Sequence, residues 1–371
     1  MLIHLYLFLS LAISFTIVYF VIPVIVKISR IKKIFDVPNH RSAAKQIVPT
    51  LGGIAIIAGF AIGLMVSSNN FNINELKYIF VSIIVMFLIG LKDDIIGLAA
   101  KKKLFVQVAV AIYLVTLGNF RITNLYGILG IEEISYLLGA ILSVVAIVGI
   151  INAFNLIDGI DGLAGGIGLL ISLVYGLWFL NAGDLIYALT CFSLAGSLIA
   201  FLLYNVFGNT NKIFMGDTGS LVLGTIIAIL TIHFNIYQPD PNIAKHGLPA
   251  LSIAIIIVPL VDTTRVFFIR TLQKRSPFSP DKNHIHHNLL QLNGDNHLVT
   301  SFIIITVNGL IILFSFLYID QIGDNLMLII LLILGFLLAC IPSGILKWRK
   351  KEEKENKSIF ALSIFLKKFK V

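Results

Sequence analysis

Four polar side chains, Asn152, Asn155, Asp158 and Asp161, stand three residues apart in the stretch NAFNLIDGIDGLAGG, directly behind an apolar run. Carboxylates beside membrane-depth sequence are costly and mark function. On an α-helix each three-residue step drifts by about 60°, so the four cover roughly half the circumference, wider than one lipid-avoiding stripe. The pattern fits a helix end opening into a polar cavity, with Gly159, Gly162, Gly165 and Gly166 letting backbone approach a ligand. An Asn/Asp-Gly turn between two spans explains the glycines equally well, but it needs no spaced polar ladder.

Further clusters carry related chemistry. Asp93 and Asp94 are neighbours; on a helix their side chains diverge by about 100° and do not easily chelate one atom together. Like charges so close call for a cation, from Lys92 and Lys101–Lys103 or from a metal. Asp217 lies in Gly-Asp-Thr-Gly-Ser at a helix start, where it would either take a hard metal or cap the helix. The free N–H groups of such a start also suit phosphate. His284, His286 and His287 form His-Ile-His-His, which has neither a cysteine partner nor a His-Glu-x-x-His frame for zinc; imidazoles facing a diphosphate fit better. Arg265 and Arg270 are placed to clamp phosphate, although positive charge at a span end would put arginines there anyway.

The elements that must hold these groups are membrane helices. The 371 residues are 58% hydrophobic and 13% charged, with a mean hydropathy of +0.96, a composition unlike any soluble domain. Apolar segments centre near residues 15, 58, 85, 111, 143, 171, 195, 227, 258, 308 and 334, predicting an all-α, polytopic integral membrane protein with about eleven transmembrane helices. The first run lacks the features of a cleaved signal peptide and is expected to be a retained span. Residues 1–346 are expected to form the transmembrane domain, and 347–371 a basic tail on the membrane surface. The two cysteines sit in apolar runs and imply no disulfide or thiolate metal site.

Of the 28 Lys and Arg residues, all but Lys77, Arg121 and Lys245 fall on alternate loops of one set. That set is expected to be cytoplasmic, with the N-terminus outside. The net charge of +9 is thus an insertion signal, and no basic patch on a folded domain points to nucleic acid. Every polar cluster above falls on the same cytoplasmic loops. Carboxylates, cations, histidines and a glycine-rich helix entry on one face suit Mg²⁺, or Mn²⁺ in its place, together with a diphosphate. The matching reaction is phosphoryl transfer at a cytoplasmic-face active site.

The set LKDD (Leu91–Asp94), NxxNxxDGxDGLAGG, FMGDTGS and HIHH, in this order, resembles the polyprenyl-phosphate N-acetylhexosamine-1-phosphate transferases. The likeness extends from Asp36-Val37-Pro38 and Pro49-Thr50-Leu51-Gly52-Gly53 to the histidine loop. It implies transfer of a sugar-1-phosphate from a UDP-sugar to a membrane polyprenyl phosphate, with UMP released, in a multi-pass protein of the bacterial inner (cytoplasmic) membrane; a homodimer is left open. His-Ile-His-His after SPFSPD is similar to the branch using UDP-GlcNAc, while phospho-MurNAc-pentapeptide transfer is the neighbouring branch.

The resemblance further implies that Asp217 ligates the metal, with Asp93 and Asp94 at the metal and acceptor phosphate. It puts Asn155, Asp158 and Asp161 in the nucleotide pocket, Phe214 against uracil and Asn205 nearby. Arg270, His284, His286 and His287 would meet the diphosphate, with Arg41 and Lys45 as further carry-overs. An ion-coupled transporter is the rival from another class, but its acidic residues would lie at mid-depth in inverted pairs. A CDP-alcohol phosphotransferase would need an Ala-Arg pair and more aspartates after Asp158-Gly159, which the sequence lacks.

Overall fold

The computed structural model describes residues 2–32, 48–68, 76–237, 248–274 and 284–368, together with Phe35 and Ser276. Arg41, Lys45, the Asp36-Val37-Pro38 motif and most of SPFSPD lie outside the described residues.

In chain order the elements are α1 (Leu2–Lys32), α2 (Gly52–Ser67), α3 (Leu76–Ile96), α4 (Ala100–Thr116), β1 (Asn124–Ile128), β2 (Ile131–Glu133), α5 (Tyr136–Ile157), α6 (Leu163–Ala182) and α7 (Leu185–Phe207). They continue as α8 (Gly216–Ile236), α9 (Leu248–Ile255), α10 (Ile257–Leu272), α11 (Ile285–Leu292), α12 (His297–Ile322) and α13 (Asp324–Lys368). Among the described residues the regular structure is all helical apart from the β1–β2 hairpin. Each of the eleven apolar segments falls on a helix or on the α9–α10 pair. Among the described residues, seven helices are long and apolar enough to cross a bilayer, and the α9–α10 pair brings the number to eight. The others fall short for stated reasons: α2 has 16 residues, α4 has 17, and α3 carries Lys92, Asp93 and Asp94 in its last turns. The tail from Lys347 continues α13 as helix.

The central pillar is α8, in which every residue from Thr218 to Asn235 is buried. It is packed by α2, α3, α5, α6 and α9. Outer helices present Phe8, Phe20, Phe302, Leu332 and Phe336 outward, a surface suited to hydrocarbon and not to water.

The segment expected as a single span near residue 258 is broken, with α9 and α10 meeting at 75°. Pro259 lacks an N–H, so a continuous helix through it would lose its bond to Ile255 and crowd that carbonyl. Asn308, fully buried on α12, satisfies the break: its amide donates to the Ile255 carbonyl at 3.1 Å and accepts from the Val258 N–H at 3.3 Å. Freed backbone groups at this depth need such a partner.

At the far end of α8, Asp184 accepts from the Tyr187 amide at the start of α7 and lies 2.7 Å from His233 Nε2. The hairpin closes that same end, where the Tyr126 hydroxyl donates to the Asn235 carbonyl at 2.9 Å. The sequence motifs gather at the other end.

Candidate active site

The acidic centre begins with how α8 starts. Asp94 on α3 accepts from the Asp217 and Thr218 amides at 2.8 and 2.9 Å and from the Thr218 hydroxyl. The cap is therefore supplied by another helix, and Asp217 does not cap itself. Gly90, one turn earlier on α3, permits the approach, since a Cβ there would lie 2.5 Å from Thr218 Cα. Asp217 is left to accept from the Asn155 amide of α5, while Lys103 Nζ of α4 stands 3.5 Å away.

Asp93 points elsewhere, as its place beside Asp94 on a helix requires. Its carboxylate lies 2.5 Å from Lys103 Nζ and accepts from the Leu98 amide. The Asp93 and Asp217 carboxylates share this ammonium, which stands 2.5 Å from the first and 3.5 Å from the second. One lysine thus serves both acids. The lysine run after Asp93-Asp94 announced such a field, but the sequence could not select Lys103 from its neighbours.

The four-residue ladder fans out at the end of α5. Asn152 donates to Gln107 of α4 at 2.6 Å. Asn155 donates to Asp217 and, at 2.9 Å, to Ser220. Asp158 ends the helix; burial, reinforced by the nearby Asp217, Asp94 and Asp161 carboxylates, pushes it up to about 8. Asp161 turns away to an ion pair with Lys212 at 2.7 Å, while its backbone accepts from Ser301 and donates to His297. The expected trio therefore divides: Asn155 belongs with the Asp217 centre, and Asp161 with Lys212. Residues 158–162 do form a turn, so the turn and the polar site are the same object.

The FMGD segment is clamped by the Pro-Thr-Leu-Gly-Gly run. Phe214 donates its amide to the Pro49 carbonyl, and the Gly52 and Gly53 amides donate to the carbonyls of Phe214 and Met215, each at 2.8 to 2.9 Å. A Cβ on Gly53 would lie 2.2 Å from the Gly219 nitrogen, so this wrap around α8 requires glycine. Phe214 itself is half-buried. Asn205 uses both ends of its amide internally, accepting from Gly162 and donating to Ile213. That engagement makes it a tie between three segments.

Asp262, His284 and His286 form a third, buried cluster, with His287 alongside His286 at a ring separation of 4.3 Å. Asp262 accepts from Nδ1 of His284 and His286 at 3.2 and 3.1 Å and from the Ile285 amide at 2.7 Å. The Arg270 guanidinium, 1% exposed, lies 3.5 Å from His284 Nε2. Asp262 lies on α10, beyond the 75° break, and its pairing depends on that bend.

A hard divalent ion fits the first cluster. Asp93 and Asp217 offer carboxylate oxygens beside Asn155, and a cation already bridges them in the form of Lys103. The Asp262, His284 and His286 ligating atoms also lie within 4.8 Å of one another. There, however, the donors are engaged in mutual hydrogen bonds and a guanidinium stands alongside.

Comparison with known proteins bears on this arrangement directly. An undecaprenyl-phosphate alpha-N-acetylglucosaminyl 1-phosphate transferase of Haemophilus influenzae is 34% identical over 257 residues, covering 68% of this chain and 70% of that protein. The sequence model of glycosyl transferase family 4 matches residues 76–235. The chain belongs to this family. Proteins of the same name from Yersinia pestis and Escherichia coli K12 are each 28% identical, over 73% and 76% of this chain and 73% and 75% of theirs. The family match spans the acidic centre, from Asp93 through Asn155 to Asp217, and stops short of the Asp262–histidine cluster. In this chain Gln107, His297 and Ser301 carry no signal of their own in the sequence, and Thr218 and Ser220 stand there only as parts of a motif; all five acquire meaning from contacts.

Proposed function

We propose that the protein transfers GlcNAc-1-phosphate from UDP-GlcNAc to undecaprenyl phosphate, giving the polyprenyl-diphosphate sugar and UMP. The observation that carries this reading is the Asp93–Lys103–Asp217 arrangement with Asn155, at the start of a fully buried helix, in a chain whose relatives bear that enzyme's name. The relatives' names favour this donor over phospho-MurNAc-pentapeptide. The protein is placed in the bacterial inner membrane, with the N-terminus outside and this end of α8 facing the cytoplasm, as the distribution of Lys and Arg supports.

Mg²⁺, held by Asp217 with Asp93, would neutralise charge on the donor diphosphate and on departing UMP. Everything else falls to side chains. Lys103 orients phosphate oxygens beside the two acids. An open cleft lined by Ile89, Leu98, Phe105 and Val106, with Lys92, Lys101 and Lys102 among its walls, suits an isoprenyl phosphate approaching from the bilayer. The acceptor phosphate, with a second pKa near 6, is largely dianionic at pH 7 and needs no strong base. Asp93 is tethered by Lys103 and Leu98, an arrangement that favours direct attack by the lipid phosphate over an aspartyl intermediate. Phe214 would stack on uracil, and Arg270, held beside His284, would bind the diphosphate.

The test is UMP release by purified protein from a panel of UDP-N-acetylhexosamines with Mg²⁺ and undecaprenyl phosphate, scored by the mass of the lipid product. Asp217→Asn should abolish turnover at any Mg²⁺ concentration. Absence of UMP from every donor in the panel would reject the reading, as would a fully active Asp217→Asn protein.

A further inference from the structure

Asp262 sits in the second turn of α10, 1% exposed, and the chemistry above gives it no task. Three donors converge on its two oxygens: the Ile285 amide on Oδ1, and Nδ1 of His284 and of His286 on Oδ2. Capping the start of α11 explains the first bond alone. The second oxygen holds two imidazoles whose rings stack at 5.2 Å.

These contacts constrain the tautomers. A guanidinium is only a donor, so His284 Nε2 beside Arg270 must accept, which puts the ring proton on Nδ1. That is the nitrogen facing Asp262, and the two contacts agree. His286 repeats the geometry at Nδ1, and its Nε2 is buried without a partner. The atom faces the Asp158–Gly159 turn, where a Cβ on Gly159 would lie 2.7 Å from it. Buried polar atoms are rarely left unpaired, and one aimed at a functional turn points to a ligand.

We propose that Asp262 is a positioning residue: it holds Nδ1 of His284 and His286, so that His284 Nε2 accepts from Arg270 and His286 Nε2 is turned as an acceptor toward the Asp158–Gly159 turn, where a hydroxyl or N–H of the donor substrate would complete it. The ligand rests on the transferase reading; the ring orientation does not. Carboxylates that orient functional histidines elsewhere act in this way, and their loss costs roughly 10–100-fold.

The experiment is NMR of the full chain, with ¹⁵N-labelled histidine, in nanodiscs, where ring couplings identify the protonated nitrogen. The wild type should show two Nδ1-protonated rings, assigned with His284→Gln and His286→Gln. Asp262→Asn has a single acceptor oxygen, and with that oxygen kept on the Ile285 amide, the shortest of the three bonds, its NH₂ faces both imidazoles, so at least one of those signals should vanish. Its kcat for UMP release should fall roughly 10–100-fold, with KM for UDP-GlcNAc moving less than about threefold. Two Nε2-protonated rings in the wild type, or an Asp262→Asn protein with tautomers and kcat intact, would overturn the assignment. If Asp262→Asn fails to fold, the wild-type spectrum still decides. A wild type that shows both Nδ1-protonated rings yet releases no UMP rejects the reaction and leaves the assignment standing.

Discussion

Asp94 on α3 caps α8 by accepting from the Asp217 and Thr218 amides at 2.8 and 2.9 Å, and this leaves the Asp217 side chain free of its own helix. Metal and cap roles that compete in a lone Gly-Asp-Thr-Gly-Ser motif are thereby divided between two residues. Asp94→Ala should cost about 0.5–2 kcal/mol of stability through the lost cap. It should also lower kcat, because Asp217 loses its anchor. Thermal melting and UMP release check both; a melting loss with unchanged kcat would show that Asp94 does not position Asp217.

Lys103 is the shared counter-charge of Asp93 and Asp217. In Lys103→Met the two acids face each other without it, and metal-free protein should lose about 3–5 kcal/mol, the typical cost of breaking a buried pair. Mg²⁺ should then raise the melting temperature of Lys103→Met more than that of the wild type, since it replaces the missing cation. Equal Mg²⁺-dependent shifts in the two proteins would place the ion elsewhere.

Asp158 binds its proton more tightly in the fold than in the unfolded chain, at about 8 against an ordinary 3.8. Stabilisation from that proton is complete below about pH 4 and disappears as pH rises toward 8, because the folded state then binds more protons than the unfolded one. With metal chelated, wild-type stability should therefore fall by about 1–3 kcal/mol across this window, after allowing for partial exposure. Asp158→Asn should flatten that part of the profile. Melting curves in EDTA from pH 5 to 8.5 measure it, and parallel profiles would contradict the burial of charge at Asp158.

Asn308 on α12 satisfies both backbone groups freed at the α9–α10 break. Asn308→Leu leaves the Ile255 carbonyl and the Val258 N–H unpaired, at about 1–3 kcal/mol each. Turnover should fall as well, because the break aims Asp262 and Arg270 at the histidines. Hydrogen exchange across residues 252–260 should quicken; unchanged exchange and melting would mean that the break holds itself.

Much of this was legible in one dimension. The apolar segments, the concentration of basic residues on alternate loops and the four motifs predicted an all-helical membrane protein with its chemistry at one end. Those signals are local or periodic, and a chain displays them without folding. The divergence of Asp93 from Asp94 was legible too, as it follows from helical geometry alone.

Assignment of partners was not legible. Asn155 and Asp161 look equivalent in the ladder, yet α5 ends between them, sending one to Asp217 and the other to Lys212. Lys103 is one of three consecutive lysines, and only the packing of α4 beside α3 and α5 selects it. The break at Ile256 required both Pro259 and an asparagine about fifty residues later in the chain. Sequence by itself determined which groups exist and which end of the bundle holds them, since composition and period carry that information. Tertiary structure alone decided which carboxylate caps, which is paired and which is free, because hydrogen bonds and ion pairs depend on distances between segments far apart in the chain.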